Sequence, residues 1–292
     1  MRALLDEIGA LLAASVRLDD ETRADARREA RLLAAAVLAW SPGDVARRIA
    51  EPLSSTQAQT VREAARRRAC GEPLAYAVGS APFRHLLLAV DPRVLIPRPE
   101  TEVVVEEALR ATATMPGGLA VDIGTGSGAI ALALATEGRF DRVIATDISI
   151  DALAVARANA ERIAPATPVE FREGADLAPL TGLRARVIVS NPPYIAYDEA
   201  SALPASVRDW EPATALFAAD DGMARYAVLL AGAARLLEPG RFIVLEVDAR
   251  RATETAQLAQ QCGWEHVRLV RDLSDRERVL VARSPLGASS VA

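Results

Sequence analysis

The sequence is poor in the residues from which most metal sites and nucleophilic sites are built. Its two cysteines, Cys70 and Cys262, lie far apart and have no CxxC partner, so neither a disulfide framework nor a zinc site is indicated. Its two histidines, His85 and His266, occupy neither an HExxH motif nor a nucleophile elbow. We therefore expect no bound metal and no histidine-based nucleophilic catalysis.

Long apolar runs and an excess of positive charge are also missing. No uninterrupted apolar run approaches the ~18 residues of a membrane span. The N-terminal segment carries Arg2, Asp6 and Glu7, unlike a secretory or transit peptide. We expect a cytoplasmic protein with no membrane partner. The 34 basic residues against 39 acidic ones give a net charge of -5, which argues against nucleic acid as a partner.

The 292 residues, 51% of them hydrophobic, suffice for a packed core and change in character along the chain. The first part is rich in Ala, Leu, Arg and Glu, with apolar residues at helical spacing, and predicts a bundle of about four helices. Two short apolar runs, Tyr76–Val78 and Leu86–Val90, then predict a β-hairpin. The predicted regions are a helical domain (1–73), a hairpin linker (74–92), a catalytic domain (93–284) and a flexible tail (285–292).

Apolar strand-like runs alternate with helical segments after Gly118. Strands separated by helices pair in parallel, with helices on both faces of the sheet. The last two runs, near Glu265–Val270 and Arg278–Ala282, have no helix between them and predict an antiparallel edge. The predicted fold is therefore α/β, with a mostly parallel seven-stranded sheet of the Rossmann-like type.

The first candidate site is the segment Val121–Gly128, in which an apolar strand enters a glycine-rich turn and then a helix. Glycines let the backbone approach a ligand closely, and the helix start offers unpaired N–H groups. A GxGxG turn alone is a weak indication and is also compatible with a plain tight turn. The next strand ends at Asp147, where a carboxylate can accept hydrogen bonds from both hydroxyls of a ribose. The structural alternative for Asp147 is a helix N-cap.

These residues resemble the nucleotide-binding edge of the Rossmann-like methyltransferases, whose turn has the form Asp/Glu-x-Gly-x-Gly. The resemblance implies S-adenosylmethionine as cofactor and S-adenosylhomocysteine as product. Asp122 would lie near the methionine end. Asp176 and Leu177 would lie beside the adenine, with Leu177 packing against the base, unless they form an ordinary turn. The implied cofactor-binding residues are Asp122, Gly124, Thr125, Gly126, Ser127, Gly128, Asp147, Asp176 and Leu177.

The second candidate site is the segment Asn191-Pro192-Pro193-Tyr194, directly after a predicted strand. The prolines stiffen the loop and leave their carbonyls free to accept hydrogen bonds. Asn191 Oδ1 and the Pro192 carbonyl form a paired acceptor suited to an NH2 group, and Tyr194 offers an aromatic face to a planar substrate. The four residues are our catalytic candidates, and a structural loop with a buried asparagine is the alternative.

This motif is similar to that of methyltransferases acting on a nitrogen conjugated to a planar system. Together with other motifs, it makes nearly the whole chain resemble the release-factor glutamine N5-methyltransferases. The resemblance implies that the substrate is the glutamine of the Gly-Gly-Gln loop of class I release factors, and that the helical N-terminal domain recognises it. The other motifs are Gly71–Tyr76, Leu95–Glu102, Val207–Leu216, Asp221–Gly222 and Asp272–Arg278.

The chain departs from the family pattern at both ends of its fifth parallel strand. Glu246 is followed by Val247 and Asp248 where a glycine is common, and Arg241 stands where a second glycine is usual. Three alternatives stay open at this point. They are an N-methyltransferase acting on an exocyclic amine of DNA or RNA, a glutamine methyltransferase of a ribosomal protein, and a non-catalytic S-adenosylmethionine-binding or adaptor protein. The acidic balance argues against the first and the intact 191–194 motif against the last.

Overall fold

The computed structural model describes residues 1–286, and its chain divides into two compact units. Unit 1 comprises residues 1–80 together with 203–210, and unit 2 comprises 81–202 together with the residues from 211 onward. The segment 203–210 was not predicted to join the N-terminal residues. Of the predicted tail, residues 287–292 lie outside the described part of the chain.

Unit 1 is built from helices around one apolar core. The core residues include Ile8 and Leu12 from the first helix, Leu33 from the third and Val61 from the fifth. The helices are α1 (Arg2–Ala13), α2 (Asp20–Ala24), α3 (Ala26–Leu38), α4 (Pro42–Arg47), α5 (Ser55–Ala69) and α6 (Leu74–Val78), with α10 (Ala205–Arg208) from the later segment.

Local sequence sets the start of two of these helices. Ser41 caps α4, accepting a hydrogen bond from the Asp44 N–H at 3.1 Å, while the Asp44 carboxylate accepts one from the Ser41 N–H. Ser54 and Gln57 form the same reciprocal arrangement at α5. An N-cap of this kind stabilises a helix by about 0.5–2 kcal/mol.

The predicted hairpin linker is partly wrong. Tyr76–Val78 lies in helix α6, which ends at Gly79 in the left-handed conformation (φ 76°). A short apolar run has too few residues for its periodicity to distinguish strand from helix. The hairpin strands are β1 (Ser80–Phe83) and β2 (Leu86–Ala89). Buried Asn159 fixes β2, because its Oδ1 accepts from the Ala89 N–H at 2.7 Å and its Nδ2 donates to the Ala89 carbonyl at 3.0 Å.

Unit 2 contains a large sheet flanked by helices. The remaining strands are β3 (Leu119–Ile123), β4 (Arg142–Asp147), β5 (Val169–Glu173), β6 (Ala185–Ser190), β7 (Ile195–Ala196), β8 (Phe217–Ala218), β9 (Leu237–Glu246), β10 (Glu265–Arg271) and β11 (Glu277–Arg283). The remaining helices are α7 (Pro99–Thr112), α8 (Ala129–Glu137), α9 (Ile150–Ile163), α11 (Ala213–Leu216), α12 (Ala224–Gly232) and α13 (Ala252–Gln261).

Within the described residues, the large sheet has seven strands in the order β10-β11-β9-β6-β3-β4-β5. The five strands from β9 to β5 pair in parallel, and β11 runs antiparallel to both of its neighbours. The predicted fold class is confirmed. Alternate residues of β3 pack on opposite faces, Ala120 on one and Val121 on the other, so both faces of the sheet are buried, as is usual for parallel strands.

The register brings three strand ends together. Ile123, the last residue of β3, pairs with Thr146 of β4 on one side and with Ser190 of β6 on the other. The loops that follow these strands therefore leave the same edge of the sheet. The chain order reverses between β3 and β6, which is where open α/β sheets bind ligands. Among the described residues, no helix is both long enough and apolar enough to cross a bilayer.

Candidate functional site

A cavity opens at the carboxyl edge of the parallel strands in unit 2. It collects the loops after β3, β4, β5 and β6 and two further segments of unit 2. Both motifs selected from the sequence contribute to it. Its lining comes from parts of segments 93–101, 123–130, 147–152, 174–176, 190–193 and 212–215, with Arg225 and Leu229.

Buried Glu211 ties two of these segments together. Its carboxylate accepts a hydrogen bond from the Ile96 N–H at 3.2 Å and forms an ion pair with Arg98. Arg98 lies in the proline-rich segment before α7, and Glu211 directly precedes segment 212–215. The ion pair thus fixes one wall of the cavity, and it joins two of the sequence motifs that carried the family resemblance.

The glycine loop leaves open space where a side chain would project. Gly124 and Gly126 have φ values of 73° and 54°, in the region that favours glycine. A Cβ atom at either position would meet no described atom within 4 Å. Thr125 and Ser127 line the same cavity. Gly128 does not line it; this residue precedes α8 and packs against Leu132.

Asp147 lies at the end of β4 and lines the cavity. Its Oδ2 accepts from the Gly126 N–H at 2.9 Å, and its Oδ1 accepts from the Ser149 N–H at 2.9 Å. Burial raises the pKa of this carboxyl, and the two N–H donors oppose the rise. The N-cap of α9 is Ser149, which accepts from the Ala152 N–H, so the structural alternative for Asp147 does not apply.

Asp122 is fully buried beneath the glycine loop rather than in the cavity wall. Its Oδ2 accepts from the Thr125 hydroxyl at 2.6 Å and from the Ala131 N–H at 3.1 Å. Its Oδ1 has no hydrogen-bond partner among the described residues. Burial raises the pKa of this carboxyl to about 7. Asp122 therefore joins the loop to the first turn of α8.

The structure places the neighbouring residues Asp176 and Leu177 in different surroundings. Asp176 lines the cavity in the left-handed conformation (φ 49°), and its carboxylate pairs with the Arg225 guanidinium at 2.8 Å. Leu177 lies outside the lining and packs in the apolar cluster on one face of the sheet, where a Cβ at Gly232 would come within 2.4 Å of its Cδ1. An apolar side chain next to a buried cluster is stabilised by joining it. Contact of Leu177 with the adenine therefore stays a prediction, which the cavity lining does not support.

The 191–194 loop presents its first three residues to the cavity. Asn191, Pro192 and Pro193 belong to the lining, and the Asn191 Nδ2 donates a hydrogen bond to the Thr101 hydroxyl at 3.1 Å. Tyr194 lies outside the lining, and its hydroxyl donates to Glu246 Oε1 at 3.3 Å. The expectation that Tyr194 offers an open aromatic face to the substrate therefore has no support from this arrangement.

Sequence reasoning missed three polar side chains that hold these loops. Thr101 of α7 and Glu246 of β9 are buried, and the Thr101 hydroxyl donates to Glu246 Oε2 at 2.5 Å. Asn159 of α9 donates to the Ser127 carbonyl at 2.9 Å. The available indication was a polar residue on the apolar face of a helix, since Asn159 follows Ala152, Val155 and Ala156 at helical spacing.

The fold and site together define a Rossmann-like methyltransferase. Residues 101–205 match the model of the methyltransferase small domain, and residues 9–79 match that of the PrmC N-terminal domain. A crystal structure of a methyltransferase from Pyrococcus furiosus superposes with a TM-score of 0.54 at 19% identity, covering 80% of this chain and 100% of the other, which shows the fold alone.

Curated relatives identify the family. A release factor glutamine methyltransferase from Moorella thermoacetica is 41% identical over 86% of this chain and 90% of its own. The protein of the same description from Cereibacter sphaeroides is 37% identical over 94% and 98%. The chain belongs to the release factor glutamine methyltransferase family, which confirms the resemblance found in the sequence.

Proposed function

We propose that this chain transfers a methyl group from S-adenosylmethionine to N5 of the glutamine in the Gly-Gly-Gln loop of class I release factors. One observation carries the proposal. Asn191 lines the cavity, and its Nδ2 is engaged by Thr101, while its Oδ1 has no hydrogen-bond partner among residues 1–286. Side-chain Oδ1 is then the atom left to accept a hydrogen from a substrate amide. That substrate implies action in the cytoplasm.

The residues around the glycine loop fit the proposed cofactor. The positions at Gly124 and Gly126 leave space for close approach, and Asp147 borders the cavity with two oxygens that each retain accepting capacity. Gly124, Thr125, Gly126, Ser127 and Asp147 would hold the cofactor, with Asp122 supporting the loop and Asp176 lining the same cavity. When bound, S-adenosylmethionine would supply an electrophilic methyl group and leave as S-adenosylhomocysteine, and the methylated nitrogen would release one of its protons.

The chain's own task is to bind and orient the acceptor amide. An amide nitrogen is a poor nucleophile because its lone pair is delocalised into the carbonyl. Asn191 Oδ1 and the Pro192 carbonyl would accept its two hydrogens and so direct the nitrogen toward the methyl donor. Positioning and preorganised electrostatics of this kind provide much of the acceleration in enzymes. We assign Pro193 to stiffening the loop.

We further propose that unit 1 recognises the release factor. A small pocket for one glutamine cannot by itself distinguish that residue from other exposed glutamines. Unit 1 has its own apolar core and no part in the described cavity lining, so it is available for a different role. The N-terminal part of unit 1 ends at residue 80, close to the boundary at residue 73 proposed from the sequence, and segment 203–210 joins it.

Mass spectrometry of a purified class I release factor, incubated with enzyme and S-adenosylmethionine, tests the proposal. We expect the mass of one methyl group on the glutamine of the Gly-Gly-Gln loop. A release factor with asparagine at that position is the matched control and should stay unmodified. Methylation at another residue, or transfer only to a ribosomal protein or to nucleic acid, would refute the proposed substrate.

A further inference from the structure

A line of three hydrogen bonds runs behind the 191–194 loop. The Asn191 Nδ2 donates to Thr101 Oγ1 at 3.1 Å, and Thr101 Oγ1 donates to Glu246 Oε2 at 2.5 Å. The second oxygen of the same carboxylate, Oε1, accepts from the Tyr194 hydroxyl at 3.3 Å. One carboxylate at the end of β9 therefore holds both ends of the loop, directly at Tyr194 and through Thr101 at Asn191.

The number of protons available to these hydrogen bonds determines the orientation of the Asn191 side-chain amide. Above its folded-state pKa of about 7, Glu246 is an ionised carboxylate, which accepts hydrogen bonds and donates none. The Thr101 hydroxyl has one proton, which it gives to Glu246, so its oxygen can only accept from Asn191. Asn191 must then turn its NH2 group toward Thr101, and its carbonyl oxygen is left for another partner.

Burial makes this arrangement a strong constraint. Thr101 is 5% exposed and Glu246 is 2% exposed, so water has little access to replace either bond. A buried polar group that loses its partner is costly, and a fully satisfied buried network holds its members in one geometry. Burial raises the pKa of the Glu246 carboxyl to about 7, and the hydrogen bond from Thr101 and the positive charge of Arg278 oppose the rise.

We propose that Thr101 and Glu246 are positioning residues that fix the side-chain amide of Asn191, so that its Oδ1 faces the substrate amide. This proposal rests on the proposed function, since it concerns the same acceptor. In this proposal, neither Thr101 nor Glu246 touches the reacting atoms. Thr101 acts through its hydroxyl proton, and Glu246 acts by setting the direction in which that proton points.

Substitution of Thr101 tests the proposal with matched controls. Thr101→Val removes the hydroxyl and keeps the shape, so at about pH 8, where Glu246 is ionised, kcat for release-factor methylation should fall about 10- to 100-fold, less than the 10²–10³-fold loss expected for deleting the preorganised contact itself. KM for release factor and cofactor affinity should change little. Thr101→Ser keeps the hydroxyl and should recover most of kcat. Thr112→Val, on the same helix, removes a buried hydroxyl bonded to the Ala108 carbonyl and should leave kcat unchanged.

A second measurement reports on Asn191 without turnover. In protein labelled with ¹⁵N-asparagine, the Asn191 side-chain NH2 signals are assigned by their loss in Asn191→Ala. They should exchange slowly with solvent in the wild type and in Thr101→Ser, and much faster in Thr101→Val. Thr101→Ala serves in the same role if the valine variant does not fold.

The outcomes separate the two proposals. A wild type that does not methylate release factor refutes the proposed function, while the amide exchange still tests the positioning. Unchanged exchange and kcat within twofold of wild type in Thr101→Val would overturn the positioning proposal. An equal loss in Thr112→Val would also overturn it, because the effect would then be a general one of a missing buried hydroxyl.

Discussion

The Oδ2 atom of Asp147 accepts a hydrogen bond from the backbone N–H of Gly126 at 2.9 Å. This contact joins the end of β4 to the glycine loop after β3, so the two parts of the proposed cofactor site hold each other in place. It also explains how a carboxylate 21 positions beyond Gly126 in the sequence reaches the loop, because β3 and β4 are neighbours in the sheet.

Replacing Asp147 should weaken cofactor binding. Asp147→Ala removes the carboxylate proposed to accept from the ribose hydroxyls and frees the Gly126 N–H. The affinity for S-adenosylmethionine should fall by about 1–3 kcal/mol, the usual cost of leaving hydrogen-bonding groups unpaired. Isothermal titration calorimetry measures this directly.

Asp141→Ala is the matched control for that experiment. Asp141 also accepts from a glycine N–H, that of Gly118 at 2.7 Å, but it precedes β4 and lies outside the cavity lining. The Asp141→Ala variant should bind the cofactor with wild-type affinity. A folded Asp147→Ala protein with wild-type affinity would take Asp147 out of the cofactor site.

Gly124→Ala should separate backbone strain from ligand contact. Gly124 and Gly182 have φ values of 73° and 81°, and a Cβ at either position meets no described atom within 4 Å. Alanine should therefore destabilise both variants similarly, by about 1–2 kcal/mol. Gly124 also lines the cavity, so there the new methyl group should crowd the proposed cofactor and lower its affinity by about 1–3 kcal/mol, as overpacking does. Equal cofactor affinity in the two variants would contradict the assignment of the loop.

Sequence alone predicted the parts of the site that follow directly from strand order. Apolar runs such as Leu119–Ile123 alternate with helical segments, which indicates parallel strands, and parallel strands end at one edge. The loops at Gly124 and Asn191 therefore leave the same edge, and the pairing of β3 with β6, which the alternation of strands and helices does not predict, makes them neighbours. Asp147 was predictable from that alternation, since its strand follows the glycine loop and its helix.

The supporting residues could not be predicted, because tertiary packing places them. Thr101 and Glu246 are 145 positions apart and meet through the docking of α7 beside β9. Leu177 follows Asp176 in sequence, yet it packs against the apolar cluster and lies outside the cavity lining. Local propensity and motif spacing predict neither outcome.

Asn191→Ala is expected to impair catalysis rather than cofactor binding. It removes the proposed side-chain acceptor and leaves the prolines and the glycine loop unchanged. Deleting one preorganised contact of this kind costs on the order of 10²–10³ in kcat. Single-turnover methylation of release factor, with cofactor affinity measured alongside, gives both quantities. Near-wild-type turnover would return the loop to a structural role.

Asn191→Asp tests whether an accepting oxygen alone is sufficient for turnover. Aspartate retains an accepting oxygen but cannot donate to Thr101, whose own proton already goes to Glu246. We expect a substantial loss of turnover, because the new carboxylate faces a hydroxyl oxygen with no proton to give. Activity close to wild type would show that the orientation of the amide is unimportant.

Removing unit 1 should harm release-factor methylation far more than cofactor binding. Truncation before about Gly71 deletes the proposed recognition helices but leaves the cavity-lining residues in place. Segment 203–210 belongs to unit 1, so circular dichroism and cofactor titration must first show that the remainder is folded. A folded truncated enzyme that methylates intact release factor at the wild-type rate would refute the recognition role.

Buried Asp122 should make stability depend on pH in a predictable direction. Its pKa is raised from 3.8 to about 7 in the folded protein, so between these values the folded state keeps a proton that the unfolded chain has lost. Stability then falls as pH rises through this window, because the unfolded state binds fewer protons. The full cost, reached above the folded pKa, is about 4 kcal/mol at 1.36 kcal/mol per pKa unit.

Asp122→Asn removes this titration while keeping an oxygen for the Thr125 hydroxyl and the Ala131 N–H. Its new NH2 group takes the position of the unpartnered Oδ1 and costs stability at every pH. Whether the variant is more or less stable than the wild type at a single pH is therefore not informative. The informative quantity is the difference in free energy of unfolding between variant and wild type, measured by urea denaturation without cofactor. That difference should shift in favour of the variant by about 2–3 kcal/mol between about pH 5 and about pH 8. A difference that stays constant over this range would mean that Asp122 ionises in the folded protein as it does in the unfolded chain, and that burial beneath the glycine loop does not control its charge.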